Sequence, residues 1–66
     1  MTKEIGKFVG YTRDNNTFIL YSKANTETFD YNYIAYIKDG FLFIQQQKDN
    51  IWKDIVISNN FTIVIL

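Results

Sequence analysis

The chain has 66 residues, enough for one small domain, and it contains neither cysteine nor histidine. These absences exclude disulfides and thiolate metal sites, and they remove the side chain most often used for acid–base catalysis. Seven basic and seven acidic residues give a formal net charge of zero, which disfavours nucleic acid as a partner because phosphate neutralisation normally requires a basic excess. We expect a single domain over residues 1–66 that folds through its core, with no cofactor and no metal.

The residues at the N-terminus are polar, and we therefore expect no signal peptide. The longest apolar run, Ile63 to Leu66, is too short to span a bilayer, which takes about 20 residues. We expect a cytoplasmic protein with no membrane partner. The abundance of isoleucine, asparagine, lysine, tyrosine and phenylalanine fits an AT-rich coding genome, such as that of a low-GC bacterium or its phage.

Short segments rich in β-branched and aromatic residues alternate with turn residues along the chain, which is typical of an all-β meander, sandwich or barrel. The first segment carries Gly6 and Gly10, which permit a bend or a close backbone approach. The second places Phe18 and Leu20 on one face. The predicted strands are Glu4–Thr12, Thr17–Lys23, the two arms of Phe29–Gln47, Ile51–Ser58 and Phe61–Leu66, with turns at residues 13–16, 24–26, 39–40, 48–50 and 59–60.

The central hairpin has the clearest signal, because Asp39-Gly40 stands between two apolar runs and a type I′ turn requires positive φ at both central residues. Its register opposes Lys38 with Phe41, Ile37 with Leu42, Tyr36 with Phe43 and Ala35 with Ile44. Opposed residues point to the same side, so one side carries Tyr33, Ala35, Ile37, Leu42 and Ile44, and the other carries Ile34, Tyr36, Phe41 and Phe43. Both sides are apolar, and the sequence leaves open which one faces the core.

Three local features complete the expected fold. Asp30 can cap a helical turn over residues 30–34, as an alternative to a continuous strand. Regular alternation puts Trp52 and Val56 on one face of their strand. A hairpin at Asn59-Asn60 would place Val56, Phe61 and Ile63 on one side and Ile55, Ile57 and Val64 on the other.

The predicted fold is all-β: a six-stranded antiparallel meander that forms a small barrel or a rolled sheet. It resembles SH3-like, Sm-like and OB-like barrels in size and strand count only, and such folds host many unrelated functions. No phosphate-binding glycine loop, nucleophile elbow or zinc motif is present, and no two carboxylates have a spacing that favours a catalytic pair. We therefore expect a protein that is not an enzyme.

Aromatic residues on one side of the hairpin, Tyr36, Phe41 and Phe43, are the best candidates for a binding surface. Trp52 is either an interface anchor or part of the core. Arg13, the sole arginine, is either a clamp for a phosphate or carboxylate or a solvated turn residue.

Strands that are apolar on both faces belong to sheets that are covered on both sides, and a chain this short lacks a second layer. The uncharged last strand needs either another chain or the first strand at its edge. We expect a homo-oligomer that also binds a protein partner or a small ligand, such as a phage-type inhibitor or adaptor. One alternative is a single-stranded nucleic-acid binder that uses the aromatic surface with Lys38 and Lys48, and another is a structural subunit of a larger assembly. The expected oligomer interface consists of Phe61, Ile63, Val64 and Ile65.

Overall fold

The computed structural model describes residues 2–22 and 31–66, which form seven strands and no helix. The predicted all-β character is thus confirmed. The strands make a four-stranded sheet in the order β1-β4-β5-β6 and a three-stranded sheet in the order β2-β3-β7. They span Thr2–Phe8 (β1), Gly10–Asp14 (β2), Thr17–Tyr21 (β3), Tyr33–Lys38 (β4), Phe41–Lys48 (β5), Ile51–Ser58 (β6) and Thr62–Ile65 (β7). The turn predicted at residues 24–26 lies outside the described residues.

The central hairpin has the predicted turn and the predicted register. Asp39 and Gly40 both have positive φ, 53° and 81°, and β4 pairs with β5 so that Tyr36 opposes Phe43 and Ala35 opposes Ile44. The next hairpin, between β5 and β6, turns in the same way, because Asp49 and Asn50 have φ values of 56° and 64°. Aspartate and asparagine tolerate this left-handed conformation better than other non-glycine residues. Local residue chemistry therefore builds both hairpins of the four-stranded sheet.

The core lies between the two sheets. The hairpin side that carries Ala35, Leu42 and Ile44 faces it, and these three side chains have no exposed surface. From the other sheet, Phe18 and Leu20 are buried as the sequence predicted for one face of their strand. Among residues 2–22 and 31–66, the buried side chains are Phe8, Phe18, Leu20, Ala35, Leu42, Ile44 and Val56.

The chain changes sheet in the middle of the first predicted strand. Residues 4–12 were expected to form one strand, but β1 belongs to the four-stranded sheet and β2 to the three-stranded sheet. Val9 lies between them, and its amide donates to the carbonyl oxygen of Tyr21 at 2.8 Å. A bend at a corner lets one stretch of chain serve two packed sheets. The described residues therefore form seven strands and not the predicted six.

The last strand does not form the predicted hairpin with β6. It pairs in parallel with β3, where Ile63 aligns with Phe18 and Ile65 with Leu20. The amide of Leu66 donates to the carbonyl oxygen of Leu20 at 2.9 Å, which extends this ladder. Asn59 and Asn60 are absent from the described residues with positive φ, so they do not form a type I′ turn. Across residues 2–22 and 31–66 no pairing joins β7 to β6 or to β1, and the sheets form no closed barrel.

A bulge in β6 changes which face its residues occupy. Val56 opposes Ile44 whereas Asp54 opposes Gln45, so that Ile55 is an extra residue in the strand. Trp52 and Val56 consequently lie on opposite faces, contrary to the regular alternation expected from the sequence. The alternative of a helical turn near residues 30–34 is not realised in its described part, since β4 begins at Tyr33 and residues 31 and 32 are not helical.

A second bulge, in β1, depends on glycine. Glu4 opposes Tyr36 but Gly6 opposes Ala35, and Gly6 has a φ of 147°. Other residues rarely adopt this conformation. A Cβ atom at this position would lie 3.7 Å from the ring of Phe8, which belongs to the core. Gly6 therefore allows β1 to bend over the core.

We predict that Gly6→Ala lowers the free energy of unfolding by roughly 1–3 kcal/mol, because alanine must adopt a strained φ at the bulge. Gly10→Ala is the matched control, since its φ is ordinary and no atom lies within 4 Å of the added methyl group. Urea unfolding should find Gly10→Ala unchanged or more stable by up to about 1 kcal/mol. Equal losses in the two variants would contradict the assigned role of Gly6.

Candidate functional site

The face of the four-stranded sheet that points away from the core, here called the outer face, carries a group of large apolar side chains among polar ones. Ile34 and Tyr36 flank the buried Ala35 in β4, and Phe41 and Phe43 alternate with buried residues in β5. All four lie outside the hydrophobic core cluster. Adjacent residues of a strand point to opposite faces, so burial of one side of this hairpin directs the other side outward.

An aromatic stack marks the centre of the outer face. The rings of Tyr36 and Phe43 are nearly parallel, with an interplanar angle of 5° and 5.0 Å between their centroids. Such stacking contributes beyond area burial. On the next strand, Ile57 opposes Phe43 in the register and leaves 60% of its surface exposed. Phe41, at the turn end of β5, is 39% exposed. Large apolar side chains therefore adjoin the stack and reach solvent.

A polar network crosses three strands beside this stack. The Tyr36 hydroxyl donates a hydrogen bond to the carboxylate of Asp54, and Gln45 Nε2 donates to Asp54 Oδ1 at 3.0 Å. Burial of the tyrosine raises the pKa of Tyr36 above its ordinary value of 10.0, and the charge of Asp54 and this hydrogen bond raise it further. The network therefore joins β4, β5 and β6 beside the ring stack and favours the protonated hydroxyl of Tyr36.

The charges on the outer face balance. Lys7 and Glu4 lie on β1, where they oppose Ile34 and Tyr36, and Lys38 opposes Phe41 at the turn end. With Asp54 on β6, these residues give two positive and two negative charges around the aromatic stack. A shallow depression of about 340 Å³ adjoins the stack, and its lining consists of Thr2, Glu4, Ile34, Tyr36 and Gln45.

The structure brings four of the five candidate binding residues onto this face. Tyr36, Phe41 and Phe43 lie together, and Trp52 shares the face because it opposes Gln47 in the register. Trp52 is half-buried and lies outside the core cluster. Aromatic residues in such positions are typical anchors of interfaces.

Arg13 lies elsewhere, on β2 of the three-stranded sheet. Its guanidinium stands 4.9 Å above the centroid of the Phe18 ring, and its Nε donates to the carbonyl oxygen of Asn15 at 2.9 Å. A cation over an aromatic face and a bond to the adjacent turn both stabilise the fold. These contacts give Arg13 a structural role at the end of the core.

The four residues expected at an oligomer interface divide into two kinds. Phe61 and Ile63 are half-buried and pack against the core cluster. Val64 and Ile65 are exposed, with 39% and 55% of their surfaces accessible. Folding accounts for the apolar character of the first two residues, and the second two remain available for contacts.

The sequence analysis gave no functional role to six further residues of the outer face: Glu4, Lys7, Ile34, Gln45, Asp54 and Ile57. The position of Asp54 was predictable from a two-residue turn at Asp49-Asn50. Residues at equal distances from such a turn oppose each other, and this places Asp54 opposite Gln45. Ile57 was harder to place, because the bulge at Ile55 shifts its register. In the described parts of the chain, no three acidic residues come together as a metal site would require, and no helix is long and apolar enough to cross a membrane.

We predict that Tyr36→Phe keeps the ring stack and lowers the free energy of unfolding by about 1 kcal/mol at pH 8, because the hydrogen bond to Asp54 is lost. A raised pKa in the folded state means that the hydroxyl stabilises the fold below pH 10.0, the ordinary pKa of tyrosine. This contribution disappears as the pH rises through the folded-state pKa. Urea unfolding of both proteins across the alkaline range should show their stability difference shrinking, and a constant difference would contradict the network.

Comparisons with protein-family models, curated proteins and solved structures found no match to this chain, so the properties of its surfaces must supply the functional argument.

Proposed function

We propose that this chain is a non-enzymatic interaction protein that associates through the outer face of its four-stranded sheet, in the first place with itself. One observation carries the proposal. The outer face presents the Tyr36–Phe43 stack beside exposed Phe41 and Ile57, and no described strand packs over it. Exposed apolar patches of this kind mark sites of protein association.

The energy of burial supports association through this face. Covering a large apolar side chain is worth about 1.5–3 kcal/mol, and association costs roughly 4–15 kcal/mol in lost freedom. Several such side chains must therefore be covered together. The outer face offers six large apolar side chains, all at least partly exposed: Ile34, Tyr36, Phe41, Phe43, Trp52 and Ile57.

Single-stranded nucleic acid finds less support as the partner. Tyr36 and Phe43 stack on each other, so each ring already uses one of the faces on which a base would stack. Glu4 and Asp54 place carboxylates beside the rings and would repel phosphates. The alternative of a structural subunit would use the same apolar surface and differs only in the number of copies that assemble.

We predict that Ile57→Asn weakens self-association at least roughly tenfold, since each tenfold step corresponds to about 1.4 kcal/mol and the lost burial exceeds it. Sedimentation equilibrium at micromolar concentration measures the effect. Ile65→Asn is the matched control, because Ile65 is exposed to a similar extent (55% against 60%) but lies on β7.

Two outcomes would contradict this placement. A monomeric wild-type protein over the whole micromolar range would remove self-association. If Ile65→Asn dissociates the oligomer and Ile57→Asn does not, the interface lies at the edge of β7 and not on the outer face.

A further inference from the structure

We infer that the outer face binds a second copy of this chain face to face. The two copies are related by a two-fold axis that lies between them, parallel to β4 and β5 and above the midline between these two strands. This inference rests on the proposed function and specifies its partner and its geometry. It is carried by the positions of Lys7 and Asp54, which face each other across that axis.

The hydrogen-bonded register arranges the outer face in rows across the strands. One row contains Lys7, Ile34, Gln45 and Asp54, one residue from each strand of the sheet. The next row contains Glu4, Tyr36, Phe43 and Ile57. Three strand spacings separate the ends of a row, a distance of about 14 Å. Lys7 and Asp54 therefore lie in the same row, at equal distances on either side of the midline between β4 and β5.

A two-fold axis above this midline places β1 of one copy over β6 of the partner, and β4 of one copy over β5 of the partner. Lys7 on β1 then faces the partner's Asp54 on β6, and symmetry forms the same ion pair a second time. At the centre, Tyr36 faces the partner's Phe43, which covers the exposed side of each ring stack. At the turn end, Lys38 faces the partner's Phe41, an arrangement that suits a cation–π contact. Sheets that pack face to face keep their strands within about 30° of parallel, and flexible lysine side chains absorb a rotation of this size.

The shape of the outer face agrees with the same arrangement. The depression beside Tyr36 lies between the two rows, directly opposite the partner's Phe43 when the axis runs along the midline. The ring of the partner's Phe43 would settle into it. At the margin of the interface the methylene groups of Glu4 cover the partner's Ile57, while the exposed carboxylate of Glu4 stays in water.

The size of the face sets the expected affinity. Four strands at about 4.8 Å spacing and eight residues of β5 at about 3.4 Å each make a face roughly 19 Å by 27 Å, which buries on the order of 1,000 Å² in a dimer. This area is at the lower limit for a specific interface. The dimer should therefore form at micromolar concentration, and its ion pairs should decide how the copies align.

Charge reversal tests the axis. In a homodimer, Lys7→Glu sets a new carboxylate against the partner's Asp54 at two symmetric places, and Asp54→Lys opposes two lysines in the same way. Each variant alone should dimerise at least tenfold more weakly than wild type at low ionic strength. An equimolar mixture of Lys7→Glu and Asp54→Lys should form a heterodimer with nearly the wild-type affinity. In this heterodimer one ion pair is the native one, and in the other the positive and negative charges have exchanged places. Sedimentation equilibrium and native mass spectrometry measure both quantities.

A control pair separates the axis from the effect of net charge. Each lysine-to-glutamate change lowers the net charge by two and each aspartate-to-lysine change raises it by two, starting from zero. Lys53→Glu and Asp14→Lys carry the same changes at exposed positions off the outer face, because Lys53 opposes Gln46 on the other side of the sheet and Asp14 lies on β2. At the same low ionic strength, each control variant should dimerise less weakly than Lys7→Glu or Asp54→Lys, because it loses no ion pair. The mixture of the two control variants should favour heterodimers only by the smaller amount that opposite net charges cause.

The variants must first unfold cooperatively, and Asp54→Asn, which removes the charge without reversing it, should weaken the dimer less than Asp54→Lys. If Ile57→Asn weakens self-association but the mixture of Lys7→Glu and Asp54→Lys forms no heterodimers, the outer face associates in another geometry. In that case only this inference is wrong. If neither Ile57→Asn nor charge reversal has an effect, the proposed function fails as well.

Discussion

The pairing of β4 with β5 is the constraint on which the rest of the structure depends. Their register brings Ala35 and Ile44 together on the core side and Tyr36 and Phe43 together on the outer side. Successive residues alternate between faces, so no rotation of the hairpin can bury both sets against one partner sheet. The core and the candidate interface are therefore two sides of the same two strands.

The second sheet covers only one of these sides. It consists of three short strands, and it reaches the core through Phe18 and Leu20. The chain passes directly from one sheet to the other at Val9, between the end of β1 and the start of β2. No described segment forms a third layer, and the outer face keeps its aromatic stack and its exposed isoleucine at the surface. This arrangement agrees with the proposed association, in which a second copy supplies the third layer.

Much of the candidate site was predictable from residue order. Tyr36, Phe41 and Phe43 follow from a type I′ turn at Asp39-Gly40, whose geometry depends on two adjacent residues. The position of Asp54 was predictable in the same way from the turn at Asp49-Asn50. Ile57 was placed correctly on the face away from Val56 but wrongly relative to Trp52, because a bulge shifts the register without a proline or glycine to signal it.

By itself, the sequence determined the all-β class, both turns of the four-stranded sheet and the register of its central hairpin, because these depend on φ preferences and period-two alternation among neighbouring residues. Only the tertiary structure decided which side of the hairpin is buried, where the chain changes sheet and which strand β7 joins. Two candidate edges compete for an uncharged strand such as β7, and at the edge of β3 Ile63 aligns with Phe18 and packs against the core cluster. That alignment brings together residues more than forty positions apart, a distance over which local sequence patterns carry no information.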